Sequence, residues 1–235
     1  MTGAPNFVSH AAMRAGAGIV WCNLPGRDAA RAASGSEVIT RAVAATPDDS
    51  LDLPGADEVL VNLGRFRALA LGPGLGRSAH TALAVIRLVE QAAVPVVLDA
   101  DGLNALDGRP EILRTRPAPT VLTPHDGEYE RLVGHAVGED RVAAAAELAA
   151  RSGSVTLLKG PATVVADPDG RAAVNPTGAR GSALPEQATS SPESSPRSSP
   201  GDGAVRGGRG RSLRARPSRR HRHRRPRWPR RARRG

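Results

Sequence analysis

Residues 68–101, ALALGPGLGRSAHTALAVIRLVEQAAVPVVLDAD, decide the fold of this chain. Their first apolar run, 68–71, ends in a glycine-rich segment at 72–76. Apolar residues then recur at helical spacing over 78–91, and a second apolar run follows at 94–98. Because neither run alternates with polar residues, this order predicts two buried parallel strands joined by a crossover helix.

The same succession of strands and helices extends over most of residues 1–177. The pattern of apolar residues predicts further helices at 5–16, 56–63 and 139–151, further strands at 19–21, 37–43, 120–123 and 155–158, and a hairpin of strands 163–166 and 172–175. We therefore predict an α/β fold with a mostly parallel sheet covered by helices on both faces. In such folds ligands bind at the carboxyl ends of the strands, and polar and glycine-rich residues follow the strands here.

The charge of the chain changes sign near Gly178. Residues 1–177 contain 16 Lys and Arg and 20 Asp and Glu, a net charge of −4, whereas residues 178–235 contain 17 and 3, a net charge of +14. The second segment is rich in Ser, Pro, Gly and Arg, and it has too few apolar residues to offset the entropy cost of ordering the chain. We expect one folded domain at 1–178 and a disordered basic tail at 179–235.

Cysteine usage and hydropathy indicate the expected compartment. Cys22 is the single cysteine, which excludes an internal disulfide and is typical of a reducing compartment. Residues 1–20 lack the order of basic, apolar and small residues that marks a signal peptide, and no run of about 18 apolar residues occurs. We expect a cytoplasmic protein that does not span a membrane.

Two glycine-rich or acidic segments follow predicted strands. The glycines at 72–76 let backbone N–H groups approach a phosphate at the start of the next helix, or they form only a tight turn. Asp101 is best interpreted as a helix N-cap whose carboxylate accepts from free N–H groups. Asp99 and Asn104 stay open, either as ligands of Mg²⁺ through water or as acceptors from hydroxyl groups.

Two further strand ends are followed by a histidine and a lysine. His125 comes directly after Pro124, where a neutral imidazole can bind a substrate group; the alternative is an ordinary surface or packed histidine. Glu128 falls in the first turn of the next helix, where capping is the default role. Lys159 is the one lysine in a chain with 32 arginines and precedes Gly160 at a strand end, a pattern that suits a phosphate.

Taken in order, these segments resemble the ADP-dependent NAD(P)H-hydrate dehydratases of the ribokinase-like superfamily. The matching segments are 2–5, 12–18, 71–76, 97–106, 122–128, 157–163 and 175–178. The resemblance implies a three-layer α/β/α fold. It also implies repair of hydrated nicotinamide cofactor, in which a nucleotide phosphorylates the added hydroxyl group and the phosphate then leaves to restore NADH or NADPH.

The resemblance also implies ligands for particular residues. Ala4, Gly74 and His125 would contact the hydrated cofactor. The phosphates of ADP or ATP would be bound by a turn made of Lys159, Gly160, Pro161, Ala162 and Thr163. Mg²⁺ would accompany the nucleotide, since the sequence shows no dedicated set of metal ligands, and assembly into a homo-oligomer is expected.

The chain departs from the family pattern at both ends. A glycine-rich strand and turn normally precede the segment that matches residues 2–5. After Asn175-Pro176-Thr177-Gly178 the family continues into a Gly-Thr/Ser-Gly-Asp-Val-Leu segment whose Asp is the general base. Nothing after Gly178 matches it, so the catalytic residue is unknown. We expect impaired activity, exposed apolar surface and aggregation.

The genetic code offers an origin for the tail. Read from the third base of the Pro185 codon, the degenerate codons in this region permit Gly-Thr-Ser/Gly-Asp-Val-Leu-Ser/Thr-Gly-Val at the expected distance from Gly178. We therefore hypothesise that the sequence from residue 179 onward comes from a shifted reading frame. The alternative is a genuine basic arm, in which the arginine-rich stretch 209–234 binds nucleic acid nonspecifically through its charge.

Two other functions stay open at this point. Another small-molecule kinase of the ribokinase-like superfamily would share the fold, but the Asn-Pro-Thr-Gly and Thr-Pro-His patterns argue against it. A nucleic-acid-binding protein would use the folded part as a scaffold. Nucleic-acid binding that survives deletion of 179–235 would support the latter, whereas loss on deletion would reflect tail charge alone.

Overall fold

The computed structural model describes residues 3–26 and 37–175, in which helices and strands alternate. The helices are α1 (Gly3–Arg14), α2 (Leu53–Leu63), α3 (Ala79–Gln91), α4 (Asp101–Asn104), α5 (Asp126–Val133) and α6 (Arg141–Ser152), with a 3₁₀ helix at Pro110–Thr115. The strands are β1 (Trp21–Pro25), β2 (Ile39–Val43), β3 (Leu69–Leu71), β4 (Val96–Leu98), β5 (Thr120–Leu122), β6 (Val155–Leu158), β7 (Thr163–Ala166) and β8 (Ala172–Asn175).

Six of these strands form one sheet in the order β3-β4-β5-β6-β7-β8. Strands β3 to β6 are parallel neighbours, whereas β7 and β8 run antiparallel to their neighbours. The predicted α/β fold with a mostly parallel sheet is therefore confirmed, and so is the hairpin of β7 and β8. Strands β1 and β2 form a separate parallel pair within the described residues, which the sequence pattern did not separate from the rest.

Polar side chains fix where several helices begin. Asp52 accepts from the N–H of Gly55 at 2.9 Å at the start of α2, and Ser78 accepts from the N–H of Thr81 at 3.1 Å at the start of α3. Asp140 accepts from two N–H groups at the start of α6. Each such cap satisfies backbone donors that a helix leaves free, and it stabilises the helix by about 1 kcal/mol.

One face of the six-stranded sheet carries the main core. Leu71, Leu98 and Leu122 lie side by side in register on this face and are buried. Leu88 of α3 and Leu148 of α6 belong to the same apolar cluster. Complete burial of a Leu side chain contributes about 1.5–3 kcal/mol to stability. Burial of these leucines therefore holds the helices against this face of the sheet.

The opposite face of the sheet is more exposed. Ala70 and Val97 lie in register on it, and Val97 remains 38% exposed although β4 is an inner strand. Inner strands of a parallel sheet are normally covered on both faces. Val97 is therefore an inner-strand position that the described residues leave partly uncovered.

Most differences between the predicted and observed elements concern their ends. Strand β1 begins at Trp21 rather than at residue 19, and α2 begins at Leu53 rather than at 56. The 3₁₀ helix was not predicted, and the interpretation of Asp101 as an N-cap implied a helix at α4 without giving its bounds, because such short elements show no periodicity. The predictions for 176–235, including the tail and most of the Asn-Pro-Thr-Gly turn, lie outside the described residues. No helix in the described part of the chain is long and apolar enough to cross a membrane.

Candidate functional site

Three charged side chains meet at the carboxyl ends of β4, β5 and β6. Lys159, directly after β6, donates from Nζ to Oδ1 of Asp99, directly after β4, at 2.8 Å. Oε2 of Glu128, in the first turn of α5, lies 3.6 Å from the same ammonium group. The Glu128 side chain is 6% exposed and that of Lys159 is 40% exposed. Two carboxylates therefore anchor the ammonium group, and part of the Lys159 side chain remains open to solvent.

His125 joins this cluster as the N-cap of α5. Its Nδ1 accepts from the N–H groups of Gly127 and Glu128 at 3.0 and 3.3 Å, and Oε2 of Glu128 accepts from the His125 N–H at 2.8 Å. These reciprocal bonds are a capping box. Because Nδ1 accepts, the neutral ring carries its proton on Nε2. The default capping role of Glu128 is confirmed, and the His125 ring stays 55% exposed.

The loops that contain His125 and Lys159 lie at the same edge of the sheet. The backbone N–H of Lys159 donates to the carbonyl of Pro124 at 2.8 Å. Glu128 bonds to the backbone of His125 and lies within ion-pair distance of Lys159. Loops 123–128 and 159–163 therefore lie together at this edge of the sheet. The remaining residues of the second loop, Gly160, Pro161 and Ala162, form the turn from β6 to β7, and Thr163 begins β7.

The glycine-rich segment 72–76 lies at the same edge of the sheet, where it contacts Asp99 and Asp101. Gly72 has φ +128°, and a Cβ there would lie 1.8 Å from the carbonyl oxygen of Asp99, so close backbone packing requires glycine. Oδ2 of Asp101 accepts from the N–H of Gly76 at 2.9 Å. The interpretation of Asp101 as an N-cap is wrong, because Ala100 is the N-cap residue of α4 and the Asp101 carboxylate bonds across to Gly76.

Gly74 borders a cavity of about 1190 Å³ that is also lined by residues of α1, β1 and β3. Ala4 is exposed in the first turn of α1, one residue before Pro5, which lines this cavity. Within the described part of the chain, the lining includes neither His125 nor Lys159. The lining of this cavity therefore does not include the charged groups of the cluster. We place the candidate site at the charged cluster, since the cavity lining is mainly apolar and the cluster holds the groups that can bind phosphate.

A second polar network fixes α5 against α6. The Tyr129 hydroxyl donates to Oε2 of Glu147 at 2.9 Å, and Nε2 of His135 lies 3.1 Å from Oε1 of Glu147. Burial, assisted by the bond to Glu147, raises the pKa of Tyr129. The Ala136 carbonyl and Glu147 raise the pKa of His135. Burial alone would raise the pKa of Glu147, but the hydrogen bonds from Tyr129 and His135 lower it. The network holds α5, and with it the capping box, in place.

Two contributors to the site were left open or missed by sequence reasoning. The sequence leaves two roles for Asp99, as a ligand of Mg²⁺ through water or as an acceptor from hydroxyl groups. In the structure, the Asp99 carboxylate forms an ion pair with Lys159. Arg141 was not singled out, although it bonds to Asp126 at 2.8 Å and to the carbonyl of Lys159 at 2.8 Å. No local pattern marks Arg141, since its partners are 15 and 18 residues away. The described residues contain no group of three or more His, Cys, Asp or Glu side chains that could bind a metal ion.

The described residues have an α/β fold of the ribokinase-like kind. A ribokinase-like superfamily protein of Enterococcus faecalis has a similar fold, with a TM-score of 0.56 and 18% identity over 74% of this chain and 58% of that chain. The ADP/ATP-dependent NAD(P)H-hydrate dehydratase of Bacillus subtilis, co-crystallised with ATP and Mg²⁺ and soaked with CoA, is similar at a TM-score of 0.58 and 31% identity. That match covers 75% of this chain and 62% of that one.

The chain belongs to the NAD(P)H-hydrate dehydratase family, whose family model matches residues 1–184. The bifunctional NAD(P)H-hydrate repair enzyme Nnr of Moorella thermoacetica is 41% identical over 187 residues, which are 78% of this chain and 35% of that protein. The chain therefore spans about a third of the length of this curated relative.

Proposed function

We propose that the domain at residues 1–178 binds hydrated NADH or NADPH together with ADP or ATP and dehydrates the hydrated cofactor. The observation that supports this function is the ammonium group of Lys159, oriented by Asp99 and Glu128 beside His125 in a chain of this family. No specific observation favours the alternative function, that of another small-molecule kinase of the ribokinase-like superfamily.

Lys159 is proposed to bind the nucleotide phosphates. An ammonium group is a compact point charge, and two carboxylates within 3.6 Å hold this one in position. The ammonium group can also donate to a phosphate oxygen without loss of the bond to Asp99, since it has three donors. The turn at 160–163 would contribute backbone groups to the same phosphates.

A nucleotide fits this site better than a bound metal ion does. Lys159 is an anchored cation at the strand ends, and the described residues contain no set of metal ligands. We therefore propose that Mg²⁺ arrives with the nucleotide phosphates, and we assign no protein ligand to it. When bound, the nucleotide supplies the phosphoryl group that turns the added hydroxyl group of the cofactor into a leaving group.

His125 is proposed to contact the hydrated cofactor through Nε2. Its Nδ1 accepts from the backbone of α5, which orients the ring, and its Nε2 lies 3.5 Å from Oε1 of Glu128 on a side chain that is 55% exposed. Gly74 and Ala4 are proposed to contact the same cofactor. Asp101 would support Gly74 indirectly, because it fixes the N–H of Gly76 in the same turn.

The rate of this reaction is proposed to be low in this chain. The sequence after Gly178 contains no counterpart of the family's glycine-rich segment with its general-base Asp. Positioned acid–base groups typically contribute about 10²- to 10⁴-fold. Recovery of NADH absorbance from hydrated NADH with ADP would measure the rate, with a chain made from the gene in its restored reading frame as the reference.

The outcomes of that assay distinguish a wrong claim about the tail from a wrong claim about the dehydratase function. We expect a rate at least about 100-fold below that of the frame-restored chain. Equal rates would show that the tail does not impair activity. A frame-restored chain that binds hydrated NADH but does not dehydrate it would refute the dehydratase function itself.

The tail, the compartment and the assembly are separate proposals. We propose that residues 179–235 arise from a shifted frame, which resequencing of codons 170–200 would test; an intact gene shared with close relatives, tail included, would contradict it. The single cysteine supports a cytoplasmic location. We propose a homo-oligomer, which sedimentation would detect, and only nonspecific contact with nucleic acid through the tail.

A further inference from the structure

Arg141, the first residue of α6, joins three segments of the candidate site. Its NH1 and NH2 groups donate to the two carboxylate oxygens of Asp126 at 3.0 and 2.8 Å, and NH2 also donates to the carbonyl oxygen of Lys159 at 2.8 Å. Asp126 directly follows His125, and Lys159 begins the turn from β6 to β7. One guanidinium group therefore connects the two loops proposed to bind the cofactor and the nucleotide.

The guanidinium group lies against Gly160. An added Cβ at Gly160 would lie 2.4 Å from NH2 and 2.8 Å from Cζ of Arg141. Contacts this short do not occur in folded proteins, so any larger residue at 160 would displace Arg141. The position has no positive φ, so backbone conformation does not explain the glycine.

The Arg141 side chain is well shielded for an arginine. It is 21% exposed, and its Nε is buried with no hydrogen-bond partner in the structure. An unsatisfied buried donor has a free-energy cost, whereas the other two nitrogens of the group are bonded to Asp126 and to the carbonyl of Lys159. The planar guanidinium group of Arg141 has several donors in a fixed arrangement and bonds to three acceptors at once. The ammonium group of a lysine cannot match this geometry.

We propose that Arg141 is a positioning residue that sets the distance between the Lys159 turn and the start of α5, and that Gly160 is glycine to admit Arg141. Arg141 itself contacts neither ligand in this arrangement. Its effect on nucleotide binding rests on the function proposed above, whereas its coupling to Gly160 does not.

A double-mutant cycle in the full 235-residue chain tests the proposal. The variants are Gly160→Ala, Arg141→Ala and both together, and each is measured for its thermal midpoint and for binding of the fluorescent nucleotide mant-ADP well below that midpoint. We expect each single change to weaken mant-ADP binding roughly tenfold, since a charge-assisted hydrogen bond is lost in each. The double variant should bind no more weakly than Arg141→Ala alone.

Additive effects in both measurements would overturn the coupling, because Gly160 would then serve the nucleotide or the turn directly. Arg141→Lys keeps the charge but not the planar group, so we expect it to bind mant-ADP as weakly as Arg141→Ala; full rescue would refute the need for a guanidinium group. A variant that loses only stability keeps the wild-type dissociation constant, and that result would refute the positioning role.

Two controls complete the experiment. Arg87→Ala removes an exposed arginine of α3 that pairs with Asp57 at 3.0 Å, away from the site, and should leave mant-ADP binding unchanged. If the wild-type chain itself does not bind mant-ADP, the proposed nucleotide function fails. The cycle in thermal midpoints then still decides whether Arg141 and Gly160 are coupled.

Discussion

Lys159 and Asp99 are 60 residues apart in the chain, yet their side chains bond at 2.8 Å. Asp99 follows β4 and Lys159 follows β6, so the pair spans the carboxyl end of β5 between them. The two side chains are 40% and 32% exposed. An ion pair this exposed contributes less than about 1 kcal/mol to stability. Its main consequence is that the ammonium group has a defined position at the strand ends.

Replacement of Lys159 by Met is expected to weaken nucleotide binding much more than folding. Loss of a charge-assisted hydrogen bond to phosphate corresponds to roughly 10- to 100-fold weaker binding of mant-ADP. The thermal midpoint should change little, because the ion pair with Asp99 is partly exposed. Fluorescence titration and a melting curve on the same sample measure both quantities.

Lys159→Arg tests whether a positive charge of a different shape can replace the ammonium group. The guanidinium group is larger and planar, and it would have to fit where Asp99 and Glu128 hold a compact ammonium group, so we expect only partial recovery of binding. Arg87→Met, on the outer surface of α3, serves as the control for loss of a positive charge. Wild-type affinity in Lys159→Met would remove Lys159 from the nucleotide site.

The order of strands and helices followed from the sequence because apolar runs and glycine or aspartate signals coincide at residues 68–101. Such runs predict buried strands whatever their partners are, so β3, α3 and β4 were found close to their observed bounds. The sequence predicts that Lys159 and Asp99 both follow parallel strands, but it does not predict that their side chains pair. The contact itself depends on which strands are neighbours, and no local pattern encodes that order.

His125 has two separable roles that substitutions can distinguish. Asparagine is a good N-cap, so His125→Asn should retain the cap of α5 and stay within about 0.5 kcal/mol of wild-type stability. His125→Ala should lose about 1 kcal/mol. Both lack the imidazole Nε2 and should bind hydrated NADPH more weakly. Urea unfolding and isothermal titration measure the two effects.

If His125→Asn binds hydrated NADPH as well as the wild-type chain does, the histidine is only a helix cap. The sequence indicated only half of this cap, since Glu128 has the position of the acidic residue of a capping box, whereas the usual N-cap residue is Ser or Thr rather than His. The interpretation of Asp101 failed for a different reason. A carboxylate before a short helix is typical of an N-cap, but Gly76, 25 residues away, offered its N–H to the same group.

The bond between His135 and Glu147 should make stability depend on pH. The pKa of His135 is raised above its usual value of about 6.5 by the Ala136 carbonyl and Glu147, so the folded state favours the protonated ring. This contribution is fully present below about pH 6.5 and is lost as the pH rises through the higher folded-state pKa. Thermal midpoints of wild-type and His135→Asn chains between about pH 5.5 and pH 8.5 measure it.

The wild-type chain should be more stable than His135→Asn at the acid end of this range, and the difference should shrink toward the alkaline end. The neighbouring Tyr129 titrates far above the range because its pKa is raised, and Glu147 stays ionised because its pKa is lowered. The His135 side chain is 59% exposed, so the difference should be at most about 2 °C. A difference that grows with pH would show that the proton stabilises the unfolded chain instead.

Nucleic-acid binding should depend on the tail alone. The segment 178–235 has a net charge of +14, whereas 1–177 has a net charge of −4 and should repel a polyanion. We expect the full chain to retard double-stranded DNA in a gel at low salt and to release it as salt rises, because such binding is driven by counterion release. Deletion of 179–235 should abolish the shift while mant-ADP binding persists. A DNA complex that survives the deletion would instead place a nucleic-acid site on the folded domain, and the −4 charge of that domain means that such a site would have to use specific contacts rather than net charge.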